Sequence, residues 1–224
     1  MLSFLTEYQQ NFLERILLPG FVATFQMLFF TTIFSVILGF FVAALLVVTN
    51  KGGILENRVV YEILSFIVNV IRSFPVIILI VFMLPVTKAL VGTAIGVKAA
   101  IVPLTVSATA FIAKLIESSL QEVDRDLVEA MRSFGLSDAQ VIFRVMVSEA
   151  LPAMVSGIII GTIAILGATA VAGAVGAGGI GSVAMTYGYQ SFNEMVMYLT
   201  VIILIILVQI IQWIGNAVYH KLKG

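Results

Sequence analysis

The sequence contains no cysteine, which excludes disulfides and thiolate metal sites. Its single histidine, His220, stands in the C-terminal tail and cannot build a histidine metal site alone. Charge is scarce: Asp, Glu, Lys and Arg make up 11% of the 224 residues, against about 25% in a soluble domain. The formal net charge is zero, so no global attraction to nucleic acid follows. No Gly-Lys pair occurs, which removes a phosphate loop and ATP hydrolysis by that route. Ser65, Ser73 and Ser107 lack a basic partner at a recognisable spacing, so enzyme activity is not expected. What remains is apolar. Hydrophobic residues reach 61% and the mean hydropathy is +1.14, the composition of an all-α polytopic membrane protein.

Residues 1–15 carry Glu7, Glu14 and Arg15 and read as a short amphipathic lead-in, not a secretory signal. No charge occurs from Ile16 to Asn50, and about 20 apolar residues cross a bilayer. The pattern predicts five spans, at about 20–48, 60–86, 94–117, 150–172 and 195–219, with Pro103 interrupting the third. Residues 173–182 are too rich in glycine for a good helix and 183–193 too polar to cross, which predicts a long loop there. Lys51, Arg58, Arg72, Lys114, Arg125, Arg132, Arg144, Lys221 and Lys223 fall on one side of this arrangement, and Arg15, Lys88 and Lys98 on the other. Basic residues favour the cytoplasm, so the N-terminus is expected outside and the C-terminus inside. A sixth span would strand the C-terminal lysines outside.

The organising stretch is the charged segment within the connection 118–149. Asp124 suits a helix N-cap, Gly135 a left-handed stop, and Ser137-Asp-Ala-Gln140 a capping box, which together predict two short amphipathic helices. Such a surface invites a soluble partner; a solvated loop without a partner is the plainer alternative. Gly176-Ala-Gly178-Gly-Ile-Gly181 matches a dinucleotide fingerprint in letters only, because an apolar helix precedes it in place of a strand. Gly157, Gly161, Ala164, Ala168 and Ala172 form a small-residue stripe, suited to packing inside one subunit or, as favoured here, to a dimer axis. Val171 and Val175 are the bulky side chains near the end of that span. With symmetry mates they form a candidate dry pore gate; lipid or core contact is the alternative. No Asp, Glu or Lys lies deep inside a span, which argues against ion-coupled transport.

Glu129-Ala130-Met131, three residues, then Gly135 and, after nine further residues, Val145 resemble the signature loop of bacterial ABC importer permeases. The chain departs at Val147-Ser148, where that signature has Leu-Pro, although Leu151-Pro152 follows. Asn69-Val-Ile-Arg72-Ser-Phe-Pro75, Ala99-Ala-Ile-Val-Pro-Leu-Thr105 and Gly173-Ala-Val-Gly-Ala-Gly-Gly-Ile-Gly181 are similar to the methionine-uptake branch of this family. The resemblance implies a type I ABC importer permease in the bacterial inner membrane, acting as a homodimer on two ATP-binding ABC subunits. ATP and Mg would sit on those ATPases, with no cofactor in this chain. An extracytoplasmic substrate-binding protein would deliver methionine, in either enantiomer or as close analogues. Glu129, Ala130, Met131, Arg132 and Gly135 would form the ATPase-coupling loop. Another small amino acid or a peptide is the alternative cargo, and an ATP-independent pore or scaffold subunit the alternative function.

Overall fold

A computed structural model describes residues 11–223. Every regular element among them is helical. Among the described residues four helices are long and apolar enough to cross a membrane: α1 (Leu13–Thr49), α5 (Val97–Gln121), α7 (Asp138–Ala177) and α9 (Glu194–Lys223). A fifth crossing is available if α2 (Arg58–Ser73) and α3 (Val76–Phe82), bent by 104°, count together. The amphipathic lead-in falls mostly outside the described residues.

Several expected boundaries move, each for a physical reason. The helix expected at 20–48 begins at Leu13, with a π-helical turn over Leu13–Leu17. Its 37 residues extend about 55 Å at 1.5 Å per residue, well beyond the bilayer's apolar core. The helix expected at 60–86 is broken. Pro75 lacks an N–H and disfavours helical backbone at Phe74, so the chain turns at φ −58°, ψ 131° and restarts at Val76. A short α4 (Leu84–Val91) follows and ends at Gly92, whose φ is +81°. Pro103, by contrast, does not interrupt α5, which runs through it.

The charged segment also differs. Its first helix, α6 (Arg125–Ser133), is separate, but the second is the beginning of α7. The capping box starts a helix of 40 residues that passes through Ser148 and Pro152 without a break. The glycine-rich stretch, expected as loop, is mostly helical: α7 continues to Ala177, and α8 occupies 180–190. Helical geometry is interrupted at Val175 and Gly176 and again at Gly178 and Gly179, whose φ values are +79° and +91°. Glycine is used here for approach. A Cβ on Gly181 would collide with the backbone of Ala170, and one on Gly173 would lie 2.6 Å from the Ser182 nitrogen.

The chain clusters into two compact units. The first comprises residues up to Ile33, Phe74–Ser107 and Thr162–Ile210. Its cores join Met27, Ile80, Ala100, Leu104, Ala172 and Ala177, and separately Leu17, Ile180, Val183 and Val196. Thr24 lends its buried hydroxyl to the N–H of Ile180 at 2.8 Å, which satisfies a helix-start donor that α8 cannot pair internally. The second unit comprises Phe34–Ser73, Ala108–Gly161 and the chain from Ile211 onward. Its core centres on Leu46, Val68 and Ala110. Gly39, Gly157 and Gly161 let their helices approach α5: added Cβ atoms would lie 3.1, 3.1 and 2.7 Å from Ile112, Leu115 and Ile112 respectively. More than half of the apolar window of α5 is buried (56%), against 11% for α9, so α5 is an inner helix and α9 an outer one.

Candidate coupling surface and gate

Local chemistry defines α6 at both ends. Asp124 is the N-cap, its carboxylate accepting from the N–H of Asp126 at 2.8 Å. At the other end Gly135 has φ +86°, with its N–H donating to the Arg132 carbonyl at 2.9 Å and that of Leu136 to Met131 at 3.3 Å. A Cβ on Gly135 would meet nothing within 4 Å, so the backbone angle and not crowding calls for glycine. Ser137 and Gln140 exchange both bonds of the capping box, at 3.0 and 3.4 Å. Arg132 Nη2 spans the turn to Asp138 Oδ1 at 2.8 Å. Both partners of that pair are over two-fifths exposed, so it orders the corner more than it stabilises the fold.

Leu127, Val128 and Met131 are half-buried, while Glu129, Ala130 and Arg132 are exposed. Coupling candidates therefore lie on both faces of one short helix. The sequence reading missed Phe134, which is 78% exposed beside Gly135. An aromatic residue directly before a left-handed glycine, in a segment otherwise charged, was the available signal. A cleft of about 390 Å³ also opens between residues 50–54 and α6. Leu120, Val123 and Met146 contribute buried apolar surface to it, and Lys51, Arg125, Glu129 and Arg132 contribute charge. Gly52, at φ +75°, accommodates the Arg125 guanidinium, 3.3 Å from where a Cβ would stand.

Sequence reasoning also overlooked a buried carboxylate. Glu117, only 3% exposed, lies in the last turns of α5. Its Oε2 pairs with Lys114 Nζ at 2.7 Å. Its Oε1 accepts from Gln121 Nε2 at 3.2 Å and, at the long distance of 3.5 Å, from the Tyr61 hydroxyl on α2. Among the described residues this is the one charged side chain in the buried class.

The gate pair is split. Val171 is exposed on α7, whereas Val175 is half-buried against Met27, Ile80, Ala100 and Leu104. Helical geometry fails between them: Val175 has φ −108°, ψ 25°, and Gly176 has φ +94°. The small-residue stripe divides as well. Gly157 and Gly161 pack inside the chain and Ala172 is fully buried, which corrects their use at a dimer axis. The exposed positions are Ala164, Gly167, Val171 and Ala174, spaced by three and four residues on one face of α7. Nothing in the chain comes within 4 Å of a Cβ placed on Gly167.

Residues 35–224 match the family described as the binding-protein-dependent transport system inner membrane component. The chain belongs to this family. It is similar to the probable D-methionine transport system permease protein MetI of Vibrio cholerae, with 44% identity over 89% of this chain and 90% of the relative. It is also 42% identical to the methionine import system permease protein MetP of Bacillus subtilis over 78% of each chain. Among solved structures, a chain of the MetNI methionine ABC transporter in inward-facing conformations superposes with a TM-score of 0.91 at 41% identity. That alignment covers 94% of this chain and 97% of the other. As an inner membrane component of this family, the chain is a multi-pass transport subunit.

Proposed function

We propose that this chain is the membrane-spanning permease subunit of an ATP-driven importer that carries methionine into the cytoplasm. The similarity to a methionine ABC transporter along nearly the whole chain, at 41% identity, is the observation that carries this reading. All of 1–224 serves as one permease domain, with the N-terminus outside and the connection 118–149 in the cytoplasm. Nine of the twelve Lys and Arg residues favour that orientation.

Two copies work as a homodimer. Their small-residue faces at Ala164, Gly167, Val171 and Ala174 permit close helix approach across the symmetry axis. Val171 meets its symmetry mate as the dry constriction, and Val175 holds the adjoining kink, so the gate acts through both valines in different roles. Two ATPase subunits hold ATP and Mg. Each grips Glu129, Ala130, Met131 and Arg132 on α6, while Gly135 fixes the angle at which α7 departs. An extracytoplasmic binding protein delivers the amino acid. The permease contributes no midplane ion relay, so the free energy comes from the ATPases' unequal affinity for the two arrangements of the helices.

The test is reconstitution in proteoliposomes with the ATPase and binding protein, following labelled methionine. ATP-dependent accumulation is the expected result, with Glu129→Lys losing both ATPase attachment and uptake. Uptake that continues after ATP depletion would overturn the reading in favour of a pore. Equal competition by unrelated amino acids would move the cargo elsewhere.

A further inference from the structure

A cavity of about 10 Å³ lies in the first unit beside the kink of α7, walled by Ile80, Leu84, Thr87, Ala99, Pro103 and Val175 among others. We propose that it is a binding site for a single water molecule. Its volume admits about one water and nothing larger. Apolar cavities of this size stay dry, so the polar groups decide.

Thr87 supplies the first. It is 1% exposed, and its hydroxyl has no protein partner. A helical threonine can return its hydroxyl to the carbonyl four residues earlier; Thr87 makes no such bond to Met83, whose carbonyl accepts the N–H of Thr87 at 2.8 Å. Ala99 supplies the second. Pro103, four residues on in α5, has no N–H, so the Ala99 carbonyl lacks its helical donor. Both residues line the same space. No charged side chain does, which leaves water and not an ion as the fitting ligand. One water donates to the Ala99 carbonyl and completes the Thr87 hydroxyl, joining α4 to α5.

The position gives this water a task. Val175, where α7 leaves helical geometry, forms part of the same wall. The carbonyl of Gly176 accepts from the N–H of Gly96 at 3.1 Å, so the kink is tied to the start of α5 on one side. The water props it on the other, filling the space into which Val175 would otherwise settle.

High-resolution cryo-electron microscopy of the intact transporter in lipid nanodiscs, wild type and Thr87→Val, tests this together with thermal melting of both and of Thr87→Ser. A density peak within hydrogen-bond distance of Thr87 and Ala99 is expected in the wild type and absent in Thr87→Val. Melting of Thr87→Val should fall by several degrees, because the Ala99 carbonyl loses its bridge, while Thr87→Ser keeps the wild-type value. No peak in the wild type would overturn the site. So would a Thr87→Val protein melting at or above wild type, the behaviour of a dry hydroxyl relieved by a methyl group. The wild-type density and Thr87→Ser remain decisive should Thr87→Val fail to fold.

Discussion

The first unit, which holds the α7–α8 hairpin, carries only three of the twelve basic residues and three of the twelve acidic ones. The second, which holds α6, carries nine of each and all three ion pairs found among the described residues. Lipid gives helices no hydrophobic reward for meeting one another, so packing and polar contacts must hold them. The charge-poor unit relies on missing side chains: Gly173 and Gly181 bring two helices to backbone contact, and Thr24 closes an open helix-start donor. The charged unit uses glycine too, at Gly39 and Gly161, but adds caps, an ion-paired corner and a buried carboxylate. One unit tolerates almost no added atom at its hairpin. The other should be more sensitive to lost charge and lost turns.

Substitution should break that contrast in a graded way. Gly181→Ala has the largest expected effect, because its Cβ meets the Ala170 backbone and not a movable side chain; a loss of about 3 kcal/mol or more would appear as failed accumulation in the membrane. Glu117→Ala comes next. It strands Lys114, whose side chain is about a quarter exposed (24%), so the loss should be about 2–3 kcal/mol, below the full value for breaking a wholly buried pair. Thermal melting of the purified complex reads it, and replacing Lys114 and Glu117 together by Met and Leu should recover much of the loss. Gly135→Ala should cost about 1–2 kcal/mol through its positive φ alone, since space is available. Arg132→Ala is the smallest, at about 0.2–1 kcal/mol, and high salt should erase the difference from wild type in the same melt. A Gly135→Ala loss as large as that of Gly181→Ala would mean that crowding, not backbone angle, governs both sites.

Much of this was legible in the residues. Uncharged runs such as Ile16–Asn50 announce helices in lipid because no other open structure satisfies the backbone there. Asp124, Gly135 and Ser137–Gln140 act through neighbours a few positions away, so their roles can be read locally. Other features depended on what stands across a gap. Gly157 and Ala164 look equivalent in the sequence, yet one faces Leu115 and the other is exposed. Pro75 and Pro103 carry the same chemistry; the first ends a helix and the second rides inside one. Glu117 reads as a charge at a span's end until Tyr61, 56 residues away, comes within 3.5 Å.

The residues alone dictate a polytopic helical membrane protein, with its charges concentrated near α6 and the ends of α6 marked by caps. Those properties follow from transfer free energy and from hydrogen bonds spanning one turn. Packing across the fold sets the rest: the glycine-rich stretch folds back as a kinked helical hairpin, α7 absorbs the second amphipathic segment, and Val171 and Val175 part company. Each of these depends on which surface a side chain, or the lack of one, meets across the fold, and that meeting is set by long-range packing.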